Sequence, residues 1–207
     1  MTDAIVHVVD DDHSVRTSLV RLLRTAGFEV RAYGSAGEFL LGSRREGPGC
    51  IVLDVSMPGP SGLELHEALT KQGDRTPVVF LSGRGDIPMT VRAMKGGAVD
   101  FLTKPVKSAD LLGAVRAALA RDAENRERDV QLRDLRARVE SLTRREQEVF
   151  AGVAEGKLNK QVAADLGTSE RTIKAHRARV MQKMQVRTVA ELIRAADTLH
   201  KNVTGAA

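Results

Sequence analysis

The chain has 207 residues, a formal net charge of +5, 42% hydrophobic and 29% charged content, one cysteine and no tryptophan. Its length favours two domains over one, and its composition excludes a disordered or fibrous chain. A lone Cys50 excludes a disulfide framework and a thiolate metal cluster, and no apolar run approaches a membrane span, so a reducing, cytoplasmic setting with no membrane partner is expected.

Residues 1–120 alternate short apolar runs with helical periodicity. Strands are predicted over 4–9, 28–33, 50–54, 77–82 and 98–102, and helices over 13–26, 35–43, 61–72, 86–96 and 108–120. Such alternation predicts an α/β domain built on a doubly wound five-stranded parallel sheet. Asp12, or the His13-Ser14 pair, can cap the first helix, and Gly27 closes it. Pro58, Gly59, Pro60 and Gly62 enforce a loop directly after Asp54, which is expected to leave that carboxylate exposed at a strand tip.

Residues 121–140 contain neither Gly nor Pro and predict a helical linker. Leu132, Leu135, Val139 and Leu142 form an apolar seam too short for a coiled coil. Packing on a neighbouring domain and a dimer contact both fit it. From 141 to 203 the pattern is all helical. Thr143 with Glu146, and Thr188 with Glu191, form capping boxes. Gly156 ends the first helix, Asn159 is expected to cap the second, Gly167 breaks the chain, and Ser169 caps the third. A short second helix, a Gly-containing turn and a longer third helix predict a helix-turn-helix. Acidic and basic residues balance through residue 140, so the excess positive charge lies in this last third and points to an anionic partner.

Chemistry-bearing residues gather at the strand ends. Asp10 and Asp11 follow AIVHVV, Asp54 follows CIVL, Ser82 follows PVVFL and Lys104 lies just past AVDFL. Ligands of open parallel sheets bind outside these carboxyl ends, where strand order reverses. Three carboxylates, a hydroxyl and an ammonium placed there suit a hard cation and a phosphoryl group. Asp10, Asp11, Asp54 and the backbone carbonyl of Ser56 are the candidate Mg²⁺ ligands. Lys104 and Ser82 can contact phosphoryl oxygens.

VVDDD at 8–12, LDVSMPGPSGLEL at 53–65, FLSGRGD at 80–86 and AMKGGAVDFLTKP at 93–105 carry a resemblance, together with LTRREQEVF at 142–150 and NKQVAADLGTSERTIKAHRARVMQKM at 159–184. The chain resembles two-component response regulators of the FixJ/StyR subclass, in which a CheY-like receiver precedes a LuxR-type helix-turn-helix domain. The resemblance implies that Asp54 is the phosphoacceptor, Asp10 and Asp11 the acidic pair around Mg²⁺, Ser82 the switch hydroxyl, Phe101 the switch aromatic and Lys104 the pocket lysine. It also implies a sensor histidine kinase as phosphodonor and a transcription regulator rather than an enzyme. Val106 departs from the pattern, which usually has Phe after Lys-Pro. A phosphatase with an aspartyl-phosphate intermediate is the rival reading. An enzyme of the haloacid-dehalogenase type would carry a second acid two residues after its nucleophile, where this chain has Ser56.

Projecting 170–184 at about 100° per residue places Ile173, Val180 and Met184 on a buried face with Arg177 at its edge. Arg171, Thr172, Lys174, Ala175 and Ala178 can then meet base edges in a major groove, while Arg179 and Lys160 suit phosphates. His176 falls at the boundary of the buried face. Because so small a module makes few base contacts, the expected partner is double-stranded DNA carrying an inverted repeat, bound by a homodimer formed on phosphorylation. Val189, Leu192, Ile193, Ala196 and Leu199 offer a stripe that can serve both the domain core and a two-fold contact.

Overall fold

In the computed structural model, which describes residues 4–42, 47–83 and 85–204 (the backbone alone for 201–204), the run Ile5-Val6-His7-Val8-Val9 forms β1 (Ile5–Val9). It pairs in parallel with β2 (Glu29–Tyr33) and β3 (Gly49–Asp54), and β4 (Val78–Ser82) and β5 (Asp100–Thr103) extend the sheet in the order β2-β1-β3-β4-β5. The crossovers are α1 (His13–Thr25), α2 (Ala36–Leu41), α3 (Gly62–Lys71) and α4 (Ile87–Lys95), and α5 (Ser108–Glu140) follows β5. Winding starts in one direction from β1 to β2 and then reverses to β3, so the switch point lies at the carboxyl ends of β1 and β3.

The strand pleat sorts side chains onto two faces. Ile51, Leu53, Val78 and Phe80 join Phe39, Leu65 and Leu69 beneath α2, α3 and α4. Cys50, Val52, Val79 and Leu81 join Leu19, Leu23, Leu111 and Val115 beneath α1 and α5. Both faces of the central strands are therefore apolar, which is why these strands read as continuous hydrophobic runs. Each large side chain buried in this way contributes about 1.5–3 kcal/mol of transfer free energy. Cys50 lies in that core, where burial pushes its thiol up to about 12 and leaves it inert.

The chain divides into two compact units, residues 1–126 and 127–207. The 121–140 stretch of α5 is shared between them. Asp122 is buried against the first unit, accepting the Gly49 N–H at 2.9 Å and Arg126 Nε at 2.7 Å, and Arg126 also donates to the Gly47 carbonyl. Farther along, Leu135 and Val139 pack against the core of the second unit, and Leu142 is part of that core. Three of the four seam residues are thus taken up by packing within that unit.

The second unit contains α6 (Arg144–Ala154), α7 (Asn159–Asp165), α8 (Glu170–Lys183) and α9 (Val189–Thr204) around Val149, Val153, Val162, Ile173, Val180, Met184 and Leu192. Thr143 and Glu146 cap α6 reciprocally, as the sequence predicts. Two caps differ from expectation. Asn159 lies inside α7 and accepts Arg177 Nη1 at 2.8 Å, while Leu158 is the cap residue and its N–H is satisfied by Gln161 Oε1. The Asn159 side chain is drawn to the stronger, charged donor on α8. At α9 only half of the predicted box forms. Thr188 Oγ1 accepts the Glu191 N–H, but the Glu191 carboxylate takes the N–H of Arg187. Among the described residues no helix is long and apolar enough to cross a membrane.

Candidate functional site

The carboxyl ends of β1, β3, β4 and β5 converge on one acidic pocket. Asp10 follows β1 and is fully buried, and its Oδ1 accepts the Asp12 N–H at 3.0 Å. Asp12 is committed to capping α1, accepting from the backbone of Ser14 and Val15, which leaves Asp11 exposed at the rim. Asp54 ends β3. Asp10, Asp11 and Asp54 each offer a carboxylate oxygen within 4.8 Å of the others.

Asp54 is not exposed as the loop chemistry predicted: it is 5% accessible. The Pro/Gly loop folds back instead of leaving the strand tip open. Gly62 donates to the Val55 carbonyl, and a Cβ on Gly62 would stand 2.1 Å from the Asp54 carbonyl oxygen. Only glycine allows α3 to start this close to the acidic strand end. The Ser56 N–H reaches Asp54 Oδ1 at 3.3 Å, and Ser56 itself is exposed beside it.

Lys104 closes the pocket. Its Nζ lies 2.7 Å from Asp10 Oδ2 and 2.9 Å from Asp54 Oδ2. Burial alone would depress the ammonium pKa, but the hydrogen bonds and charge of Asp10 and Asp54 outweigh it and hold Lys104 above its ordinary value. Burial raises Asp10, with the Asp54 charge adding to it and Lys104 only partly opposing. A single ammonium shared by two buried carboxylates thus leaves the pocket short of positive charge. The Lys104–Pro105 peptide is cis, and the Lys104 N–H donates to the Ser82 carbonyl at 2.7 Å, joining the ends of β4 and β5. Ser82 is fully buried at the tip of β4. Phe101 is half-buried on β5, packed against the core with its ring 6.3 Å from that of Phe80. Val106 is likewise half-buried, against the opposite core.

Arg16 is a pocket residue that sequence reasoning missed. Its guanidinium donates to the Asp10 carbonyl and approaches His13 Nδ1 at 3.3 Å, bracing the backbone that carries the acidic pair. Its position on the first turn of a helix that starts at the acidic run was the available signal. The donor set fits a hard divalent cation, since it consists of carboxylates without nitrogen or sulfur ligands.

In the second unit, Ile173 and Val180 on α8 and Met184 at its C-cap are fully buried, and Arg177 lies at the edge of that face. Arg171, Lys174, Ala175, Ala178 and Arg179 are exposed together, and Lys160 is exposed on α7. Thr172 is half-buried, with its N–H and hydroxyl engaged by the cap residue Ser169. Several basic residues nearby are engaged: Arg177 with Asn159, Lys183 with Glu146, and Lys157 with Asp165. Among the described residues Lys160, Arg171, Lys174 and Arg179 have no hydrogen-bond or ion-pair partner of their own. Four unpaired cations and two alanines on adjoining surfaces leave charge and close approach available to a polyanion. His176 is half-buried at the boundary, its Nδ1 buried without a partner.

Residues 6–116 match the response regulator receiver domain family, and residues 140–196 match the LuxR family of bacterial regulatory proteins. The chain is 50% identical over 198 residues to nodulation protein W of Bradyrhizobium diazoefficiens, covering 96% of this chain and 87% of that one. It is 44% identical over 191 residues to the transcriptional regulatory protein FixJ of Azorhizobium caulinodans, covering 92% and 90% of the two chains. The solved structure of the response regulator StyR superposes with a TM-score of 0.78 at 48% identity, over 94% of this chain and 98% of that one.

Proposed function

Since the chain belongs to the two-component response regulators that carry a LuxR-type DNA-binding domain, we propose that Asp54 is the residue through which phosphorylation reaches it. The protein is a phosphorylation-activated, DNA-binding transcription regulator and not a classical enzyme. The observation that carries the Asp54 assignment is the sharing of Lys104 between Asp10 and Asp54 in a cluster of three carboxylates.

A sensor histidine kinase supplies the phosphoryl group. An Asp54 carboxylate oxygen forms a bond to phosphorus as the P–N bond to the kinase imidazole breaks and the nitrogen keeps the electron pair. Asp10, Asp11, Asp54 and the Ser56 carbonyl would hold Mg²⁺, which when bound offsets the charge of the phosphoryl oxygens. Lys104 transfers its contacts from the carboxylates to those oxygens. The Ser82 hydroxyl turns toward the phosphoryl group and Phe101 follows, as the family resemblance implies. Loss of the phosphoryl group to water at the same site resets the protein.

The readout is a homodimer on an inverted repeat in the cytoplasm. On α4, Ile87, Val91 and Met94 are exposed at 79%, 44% and 45%, with the spacing of one helix face, so an apolar stripe adjoins the β5 switch strand. On α9, Leu192 and Ala196 are buried in the unit's core, whereas Ile193 and Leu199 are half-buried outside it and free to meet a second copy. Arg171, Thr172, Lys174, Ala175 and Ala178 meet base edges, and Lys160 and Arg179 meet phosphates. The deciding experiment incubates the full chain with a small phosphodonor and Mg²⁺ and follows base- and hydroxylamine-labile label together with DNA binding. Wild type should gain both; Asp54→Asn should gain neither. Undiminished labelling of Asp54→Asn would remove the assignment.

A further inference from the structure

A second cavity, of about 230 Å³, lies at the pole of the sheet away from Asp54, where β4 and β5 begin. It opens between the end of α3, the turns that lead into β4 and β5, and the stretch of α5 that carries Arg121 and Asn125. These two residues stand four apart and therefore lie one above the other on a single helix face. Among the described residues neither has a hydrogen-bond or ion-pair partner. Asp122 and Arg126, on the same turns, are committed to each other and to the start of β3. This part of α5 thus anchors itself through one pair of side chains and presents two unengaged donor groups through another.

Arg75 enters the cavity from the turn after α3. Arg75 is already engaged, but a guanidinium carries five donors and can serve more than one partner. The single carboxylate in the lining, Asp74, has Oδ1 occupied by the N–H and hydroxyl of Thr76, at 2.9 and 2.6 Å. His66 forms part of the wall with its ring against Phe80. Gly96 faces it with φ −71, a conformation any residue can adopt, and a Cβ there would sit 3.4 Å from the His66 ring. The missing side chain at 96 keeps this wall open for reasons of space alone.

Donors outnumber acceptors here, and the volume is below that of a pocket for drug-sized ligands. Planar guanidinium forks match the oxygens of carboxylate and phosphate groups. We propose that this cavity is a binding site for a small anion of carboxylate or phosphate type, held by Arg75, Arg121 and Asn125 and separate from the chemistry at Asp54. A bound anion ties α5 to the turn before β4, on the same turns as the Asp122–Arg126 clamp. It gives the receiver a second chemical input that requires no phosphodonor.

The test uses the full chain in EDTA, so that metal-dependent chemistry at Asp54 is silent. Inorganic phosphate, succinate and citrate are titrated separately at constant ionic strength while the Asn125 side-chain amide and Arg121 Nε–H resonances are followed by NMR. At least one anion should give saturable shifts, with phosphate or the carboxylates alone identifying the source of the ligand. Arg121→Gln and Asn125→Leu, both at sites outside the apolar cores, should each weaken that binding by about tenfold or more. Arg194→Gln, exposed in the other unit, should leave it unchanged. Linear, non-saturating shifts with all three anions would overturn the site. So would unaltered affinity in the two cavity variants.

Discussion

Replacing Lys104 with methionine keeps much of the side-chain volume and removes the only ammonium between Asp10 and Asp54. The two carboxylate side chains are 1% and 6% accessible, so neither can recover full hydration. At a charge separation of about 4 Å and an effective dielectric near 20, each attraction is worth roughly 4 kcal/mol before desolvation is subtracted. Removing one partner from a buried pair costs about 3–5 kcal/mol. Lys104 is itself 19% exposed, and Asp10 already binds its proton more readily than a free carboxyl, so part of the cost is relieved. The receiver of Lys104→Met should therefore lose about 2–3 kcal/mol of stability near neutral pH without divalent metal. Mg²⁺ should bind the variant at least about tenfold more tightly, because no fixed cation competes, and should restore more stability to it than to wild type. Tyr33 makes the measurement specific to the receiver. It is the only tyrosine in a chain without tryptophan and is buried there, so its near-ultraviolet dichroism reports urea unfolding of that unit. Equal urea midpoints for the two proteins in EDTA, or equal gains on adding Mg²⁺, would refute the charge account.

Other outcomes follow from the same geometry. Glu146 is buried beneath α6, and the Lys183 ammonium, with the Thr143 backbone, pushes its carboxyl down to about 2. Its stabilisation is complete above the ordinary value of 4.5 and is lost as pH falls toward 2. Glu146→Gln should lower the exchange protection of α6 amides at pH 6, with the gap from wild type narrowing as pH falls from 4.5 toward 2; a gap that stays constant would contradict the pairing. Mg²⁺ affinity should also fall as pH drops, starting above the ordinary carboxylate range, because protons compete for Asp10. Lys174→Ala should cost about 1–3 kcal/mol on the preferred duplex and relax one position per half-site. Arg179→Ala should weaken all duplexes alike and flatten the salt dependence, and the reverse pattern would invert the orientation assigned to α8.

The sheet was legible because its central strands are buried on both faces and bounded by Gly, Pro and Asp, so apolar runs mark them directly. The site residue types were legible for a related reason, since parallel strands bring their carboxyl ends to one edge whatever lies between them. Asp54 shows where this reading stopped. Pro58, Gly59, Pro60 and Gly62 predicted a loop, but a sequence does not state that the loop returns to donate to Val55 and cover the carboxylate. Asn159 misled because its side chain, a good capping group, is taken by Arg177 on another helix. Asp122 and Arg126 fall in the stretch predicted only as a helical linker, and their contacts at the start of β3 span a sequence separation that no local pattern encodes. The unpaired cations of α8 could be projected onto one face, but that Arg177 is taken by Asn159 of α7 and Lys183 by Glu146 of α6 could not.

The way α5 is shared bears on how such a protein can be cut and recombined. A fragment ending at residue 120 would lose Asp122 and Arg126, leaving the Gly49 N–H at the start of β3 without its acceptor. A fragment starting at residue 141 would discard Leu135 and Val139 and strip two apolar contacts from the opposite core. The stretch between Arg126 and Leu135 belongs to neither core, since Val130 is exposed and Leu132 joins no cluster. A chimaera that exchanges one half for that of a relative should therefore be spliced inside these few residues. A splice at either end of the apparent linker would carry a piece of one domain's foundation into the other.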